Sequence, residues 1–538
     1  MSGCLHVWAC IGITSSFLLG ATDAHADPCA ALKSLSLDNT TVASSERVPE
    51  ALDTGFNGAP PQRVPEHCRV TGTIAPSIEF ELWLPVSHWN GNWQAVGTGG
   101  FGGTINTLAM GVALRAGYAT AANNSGHPVG DPNWMSSREL VRLWGHESIH
   151  RMVAPMEALI RAFYGKPHQK AYFSGCSTGG DQAMEEAEYY PGDFDGIVAI
   201  SPGMAYSHLM LSFLWSKRVS EQFADSKLSP PKLQLLHRAA LAHCDKLDGV
   251  EDGLLEDPRR CDFDVATLRC PGPDGPDCLT AHQVETVRKL MAGPHNPRTG
   301  AEIYPGFYYG SEASPEYADA AGLERFGWTL IQGPLAERYA IPLLGAMVFA
   351  NPHWNGSDFD FDTGVHQVDA ALEGVITAMN PDLRPYARHG GKLLMVQGWS
   401  DPLNPPTLPI EYWEQVNQVF ALRAGAGPSA ASNAGSGADG RDGARKAVDG
   451  FYRLFMAPGM GHCALGPGPN EFDAVAALDR WVNTHEPPTY LLATKHLKDD
   501  PREPVLMTRP LCSYPAHAVW DGKGDPHKAQ SFTCVTPR

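Results

Sequence analysis

The chemistry in this sequence gathers first around Gly175-Cys176-Ser177-Thr178-Gly179, a G-x-S-x-G string. Glycine fills 55 of 538 positions, so the string alone carries little weight. Its setting carries more. A short apolar run, Ala171-Tyr172-Phe173-Ser174, precedes it and a helical pattern follows. Small flanking residues permit the strained corner that exposes a serine hydroxyl at the start of a helix. The helix N-terminus also favours negative charge there. A serine at its ordinary pKa is a weak nucleophile, so Ser177 needs a base and an acid to orient that base. In a strand–elbow–helix fold of this kind the chain order is serine, acid, histidine. Asp401, in Gln397-Gly398-Trp399-Ser400-Asp401-Pro402, directly follows the apolar run Lys392–Val396. His462, in Pro458-Gly459-Met460-Gly461-His462-Cys463, follows Phe451–Phe455. Acyl transfer also needs preorganised N–H donors for the oxyanion. The residue after the nucleophile, Thr178, is expected to give one. The Gly-rich run Gly97–Gly103 is expected to give the other, from Gly100 or its neighbour Gly99.

Cys176 is an alternative nucleophile with His462 as its base. It occupies the buried-side position of the elbow, however, and Cys463 stands beside His462. A Cys176–Cys463 disulfide would tie the two loops together and silence the thiol. A second cluster is Cys244-Asp245-Lys246-Leu247-Asp248-Gly249-Val250-Glu251-Asp252-Gly253-Leu254. Hard cations such as Ca²⁺ take six to eight oxygens from carboxylates and carbonyls. The spacing is not that of an EF-hand. Asp245, Asp248 and Asp252 can nevertheless converge, with the carbonyls of Val250 and Leu254 completing a shell.

The elements that must position these residues follow from periodicity. Glu79–Leu84 alternates as a half-buried strand does. Asn92–Val96, Gly117–Ala122, Ala171–Ser174 and Gly196–Ile200 read as further strands. Glu147–Tyr164 reads as a helix with Ile149, Val153, Met156, Leu159, Ile160 and Phe163 on one face. Strand–helix alternation with apolar strands implies a parallel sheet covered on both faces. From Met204 to Arg388 helical segments, Pro/Gly loops and aromatics replace that alternation. The expected architecture is an α/β-hydrolase fold with a large inserted helical lid. Residues 1–26 are a signal peptide, 27–203 and 392–538 form the catalytic domain, and 204–391 form the lid with the acidic loop. Trp328, Phe349, Trp354 and Phe326 of the lid are candidates for an aromatic substrate pocket. Ala424–Ala444, rich in Gly, Ala and Ser, reads as a flexible surface insertion.

Composition sets the outer bounds. With 41 basic and 59 acidic side chains the net charge is −18, which argues against a nucleic-acid partner. Val7–Ala21 is apolar and ends in Ala24-His25-Ala26, a secretory cleavage pattern without a basic residue ahead of it. No later stretch is expected to span a membrane. Loss of Cys4 and Cys10 with the leader leaves ten of the twelve cysteines, an even number that fits disulfides in a secreted or periplasmic chain. Spacing does not choose their pairing. It excludes zinc, because there is no CxxC pair.

Assembled, these motifs resemble the tannase and feruloyl esterase family, which also holds hydrolases of mono(2-hydroxyethyl) terephthalate. The resemblance runs from Cys29 and Cys68 through Trp89-Asn90-Gly91-Asn92, Gly97–Gly103, Ser125-Gly126-His127, the elbow with Gly180, Asp193–Val198 and the acidic loop. It ends in Gly398–Pro402 and Gly459–Cys463. It implies Ser177, Asp401 and His462 as a catalytic triad and Cys176–Cys463 as a disulfide. It implies structural Ca²⁺ on Asp245, Asp248, Val250, Asp252 and Leu254. It also implies the pairs Cys29–Cys68, Cys244–Cys261, Cys270–Cys278 and Cys512–Cys534. Many relatives carry Arg where this chain has Asp181, and Gly-Ala-Pro where it has Ser201-Pro202-Gly203. The implied activity is hydrolysis of small aromatic acid esters. Galloyl esters and terephthalate monoesters are alternative substrates, and a calcium-stabilised binding protein without turnover is the alternative class.

Overall fold

In a computed structural model of the protein, the residues described are 27–53, 62–131, 133–313, 327–372, 374–422 and 438–537. The expected signal peptide, Phe326 and most of the Gly/Ala/Ser-rich tract lie outside them.

Nine strands form one sheet: β1 (Thr40–Val48), β2 (His67–Ile74), β3 (Ile78–Pro85), β4 (Trp93–Val96), β5 (Ala119–Asn123), β6 (Ala171–Cys176), β7 (Gly196–Ile200), β8 (Lys392–Gly398) and β9 (Tyr452–Ala457). Their spatial order is β1-β2-β3-β5-β4-β6-β7-β8-β9. From β5 to β9 all neighbours are parallel, as expected from strands that are apolar on both faces. The other end differs from the expected parallel sheet. β1, β2, β3 and β5 pair antiparallel. The physical reason lies in the connection: only Ala75-Pro76-Ser77 joins β2 to β3, too short for the crossover that parallel strands need.

Helices cover the sheet. Ser148–Tyr164 buries Ile149, Met152, Val153, Met156, Leu159 and Ile160, close to the predicted face, while Phe163 is only partly buried. Gly165, left-handed at φ 67°, ends it. The helix Ala474–Thr484 starts on an Asp473 side-chain cap and packs Leu478 and Trp481 on the sheet. The tract expected to be a flexible insertion is helical from Ala438 to Asp449, because Ala444 and Val448 are buried.

Between β7 and β8 the named elements are helices, among them Tyr206–Ser220, Pro230–Cys244 and Ala281–Ala292. Leu209, Leu236, Leu290, Trp328 and Leu344 of this segment build a second core, which Trp134 and Trp144 join from the preceding part of the chain. Two antiparallel hairpins close the chain, Tyr490–His496 with Val505–Cys512 and His517–Trp520 with Phe532–Val535. Among the described residues no helix is long and apolar enough to cross a membrane.

Candidate active site

Ser177 sits between the end of β6 and the helix Thr178–Tyr189, at φ 61° and ψ −124°. A side chain in that region is strained and persists only where its surroundings fix it. The fixing is visible. The Ser177 N–H donates to Ile200 O at 3.1 Å, and its carbonyl accepts the N–H of Gly203 at 3.1 Å. The flanking glycines allow strand and helix to touch. A Cβ on Gly175 would lie 2.1 Å from Gly179 O, and one on Gly179 would lie 2.7 Å from Thr98 O. The two glycines of the string are therefore required by packing.

His462 and Asp401 meet as the sequence order requires. His462 Nδ1 lies 3.0 Å from Asp401 Oδ2; with the proton on Nδ1, the lone pair is on Nε2. Asp401 is completely buried, and every lone-pair direction it needs is met. Oδ1 accepts the N–H groups of Leu403 at 2.9 Å and Asn404 at 3.0 Å, and Oδ2 accepts Gln397 Nε2 at 3.2 Å. With the His462 bond, four hydrogen bonds to one buried carboxylate hold it rigidly in place. Cys176 and Cys463 are bonded, with Cα atoms 5.7 Å apart across 287 residues of sequence. Cys176 is therefore not a free thiol. The other four bridges, Cys29–Cys68, Cys244–Cys261, Cys270–Cys278 and Cys512–Cys534, follow the pairing implied by the resemblance.

Residues the sequence reading did not assign hold these loops. Ser201 is fully buried at φ 41°. Its Oγ accepts the Cys463 N–H at 3.2 Å, and its carbonyl accepts Asn404 Nδ2 at 2.8 Å. Ser201 thus joins the loop of His462 to the loop of Asp401. The only sequence signal was its departure from the usual Gly-Ala-Pro.

The two expected oxyanion residues are in contact: the Thr178 hydroxyl donates to Gly100 O at 2.7 Å. Phe101, next to Gly100, packs edge-to-face on Tyr339 with centroids 5.0 Å apart. Behind Thr178 lies Tyr206, whose phenol burial pushes well above its ordinary pKa while the neighbouring Thr178 opposes the shift. A cleft lined by Gly310, Ser311, Ser400, Pro402, Gly461, His462 and Leu465 opens beside the imidazole. The expected lid aromatics sit elsewhere. Trp328 is fully buried and donates its indole N–H to Ser311 at 3.0 Å. Trp354 and Phe349 pack as a tilted pair with centroids 4.6 Å apart, and both meet Phe359 edge-to-face in the second core.

The acidic loop is built around Asp245, whose two oxygens accept the N–H groups of Asp252 at 3.2 Å and Gly253 at 3.0 Å. Asp248 Oδ1 accepts the Val250 N–H at 2.9 Å, and Asp252 Oδ1 that of Leu254 at 3.2 Å. Burial, followed by the charge of Asp252, pushes Asp248 up to about 6 despite that Val250 bond. The buried Arg509 pairs with Asp252 and, at 3.5 Å, with Glu256. An oxygen-only donor set with excess negative charge fits a hard divalent cation. Among the described residues, the groups whose side-chain ligand atoms already converge are His243, Cys244 and Asp262, and Cys270, Asp274 and Cys278; both use sulfurs already in disulfides.

The sheet order is that of an α/β-hydrolase fold, and the family and relatives below give the class, a carboxylic ester hydrolase. Comparison with known proteins narrows it. The family model described as tannase and feruloyl esterase matches residues 62–535, and the chain belongs to that family. An uncharacterized esterase of Xanthomonas campestris pv. campestris is 35% identical over 95% of this chain and 92% of its own length. A probable feruloyl esterase B-2 of Aspergillus terreus is 30% identical, covering 87% and 86%. The crystal structure of an esterase from Aspergillus oryzae superposes with a TM-score of 0.81 at 26% identity, covering 94% of this chain and 99% of that one.

Proposed function

We propose that this protein is an exported serine esterase that hydrolyses esters of small aromatic acids, in the manner its feruloyl esterase relatives' names suggest. Ser177 attacks the ester carbonyl. His462 Nε2 takes the serine proton and delivers it to the departing alcohol, leaving an acyl-enzyme, and then activates water to release the acid. Asp401 holds the ring tautomer and stabilises the imidazolium. The N–H groups of Thr178 and Gly100 receive the oxyanion. The helical segment 204–391 acts as the lid over this site. Asp245, Asp248 and Asp252, with the carbonyls of Val250 and Leu254, hold a structural Ca²⁺, which supplies charge compensation to the loop and takes no part in the reaction. The five disulfides support export, since such bridges persist in oxidising compartments.

The observation that carries this reading is the Asp401–His462 hydrogen bond together with the disulfide that ties the His462 loop to the Ser177 elbow. Ser177→Ala should lower turnover by about 10⁴-fold or more while leaving the fold intact. A fluorophosphonate should label the wild type and not the variant. Hydrolysis of methyl ferulate, methyl gallate and a terephthalate monoester then ranks the substrates. A wild type that resists the label and turns over none of the three would leave the binding-protein reading standing.

A further inference from the structure

We propose that Phe101 and Tyr339 form the wall against which the aromatic ring of the acyl group packs, with Tyr339 as the specificity-determining residue. The proposal rests on the esterase reading above and deepens it.

The argument begins with the tetrahedral intermediate. Its carbon carries four groups: Ser177 Oγ, the oxyanion, the alcohol oxygen and the acyl substituent. The oxyanion must face the N–H donors of Thr178 and Gly100. The alcohol oxygen must face His462, which protonates it as it leaves. Among the described residues, the cleft beside His462 is lined by small or aliphatic side chains such as Gly310, Ser311, Pro402 and Leu465, and the imidazole is the only aromatic ring. It suits a compact, uncharged alcohol. The acyl substituent takes the remaining direction, away from His462 and along the Gly-rich loop.

Aromatic residues stand there. Phe101 follows Gly100 directly and contacts three rings edge-to-face: Tyr339 at 5.0 Å, Trp134 at 5.8 Å and Trp144 at 5.9 Å. Trp134 and Trp144 are buried, whereas Phe101 and Tyr339 are only half-buried and keep surface for a ligand. Tyr339 approaches the loop itself, since a Cβ on Gly100 would stand 3.0 Å from its hydroxyl. Trp144 and Tyr339 come from distant parts of the chain, yet each lies in a short π-helical turn, Leu143–Glu147 and Ala336–Ala340. Such turns concentrate at functional sites because they re-aim a side chain within a helix. The Thr178–Gly100 hydrogen bond fixes the wall relative to the elbow. Offset and edge-to-face ring contacts then favour an aromatic acyl group over an aliphatic one.

The test compares methyl ferulate with methyl butyrate, which share an alcohol. The ratio of their kcat/KM values should fall about tenfold or more in Tyr339→Ala, mainly through the KM of the ferulate. Tyr339→Phe, which keeps the ring, should hold the ratio within about threefold of wild type. Fluorophosphonate labelling of Ser177 checks that each variant is folded, and Phe101→Leu reads the same ratio if Tyr339→Ala is not labelled. Equal losses on both esters, or a loss in Tyr339→Phe as large as in Tyr339→Ala, would overturn the wall. A wild type that is labelled but prefers methyl butyrate would instead overturn the aromatic-acid reading and the wall with it. A preserved ferulate preference in both Tyr339→Ala and Phe101→Leu would overturn the wall alone.

Discussion

Cys176 and Cys463 are covalently joined, so the residue before Ser177 and the residue after His462 share one disulfide. The two loops, bridged across 287 residues between the cysteines, would otherwise depend on packing and hydrogen bonds for their relative position. For the proposed nucleophile Ser177 and base His462 this matters, because a misplacement of about 1 Å can cost about 10²-fold in rate. The bridge also constrains the unfolded chain, which in similar cases contributes about 2–5 kcal/mol. Ser201 shares the task through its hydrogen bond to the Cys463 N–H.

Replacing the pair, Cys176→Ala with Cys463→Ala, should therefore lower kcat by about 10-fold to 10²-fold while the other four bridges remain. The melting temperature should fall as well. Steady-state kinetics and thermal unfolding in oxidising buffer measure both. A double variant with wild-type kcat would show that the bridge contributes only stability.

Much of this site was readable from the sequence, and the exceptions have physical causes. The strands that carry the site are buried on both faces and so appear as apolar runs; β7 was anticipated to the residue. β1 was not named as a strand, because it lies at the edge of the sheet and of its residues only Val42 reaches the core. The hairpin strand Tyr490–His496 was missed for a related reason. Leu491 and Ala493 are buried, but Tyr490 and Leu492 are apolar and exposed, which blurs the period of two. Asp401 is held by Gln397 and Asn404 of its own loop, and Asn404 is held in turn by Ser201 from the distant turn after β7. Nothing in local pattern announces such a set; only the closed sheet brings it together. Trp328 and Trp354 were candidates for a pocket because they are aromatic, and they are buried for the same reason.

Asp181 and Glu185 make a prediction of a different kind. They lie one turn apart on the helix that follows Ser177, 4% and 1% exposed. Asp181 Oδ1 and Glu185 Oε1 have no hydrogen-bond partner. Burial, then the charge of Glu188, raises the Asp181 carboxyl well above the usual range; burial, then the charge of Asp181, does the same to Glu185. The sign follows. In the unfolded chain both ionise near the ordinary carboxylate value of about 4, whereas the folded protein keeps them protonated to higher pH. Stability from these groups is complete below that unfolded value and is lost as pH rises through the folded one, by up to about 1.4 kcal/mol per pH unit for each group. Asp181→Asn and Glu185→Gln, which cannot ionise, should raise the melting temperature at pH 8 relative to wild type and change it little at pH 4. Equal shifts at the two pH values would show that neither carboxyl titrates on unfolding.

Arg509 sets the terms of the last prediction. Its guanidinium is 1% exposed, pairs with Asp252 and Glu256, and lies 3.9 Å from the centre of the Phe532 ring. It comes from the C-terminal hairpin, so it pins that hairpin to the acidic loop. One buried cation does not balance Asp245, Asp248, Asp252 and Glu256 together, and the proposed Ca²⁺ supplies the remainder. Chelation should then lower the melting temperature, and added Ca²⁺ should restore it. At a free concentration 100 times the Kd the gain would be about 2.7 kcal/mol. Asp248→Asn should abolish the calcium response while Asp252 keeps its partner Arg509. Arg509→Met leaves Asp252 and Glu256 buried without their cation, a loss of about 3–5 kcal/mol in comparable pairs. It should also make the fold more dependent on calcium than the wild type is, because the metal becomes the loop's only buried positive charge. Thermal unfolding of the wild type and both variants, in EGTA and in excess Ca²⁺, measures each term. Melting curves of the wild type that coincide in the two buffers, after exhaustive metal removal, would eliminate the calcium and leave Arg509 as the sole counter-charge of the loop.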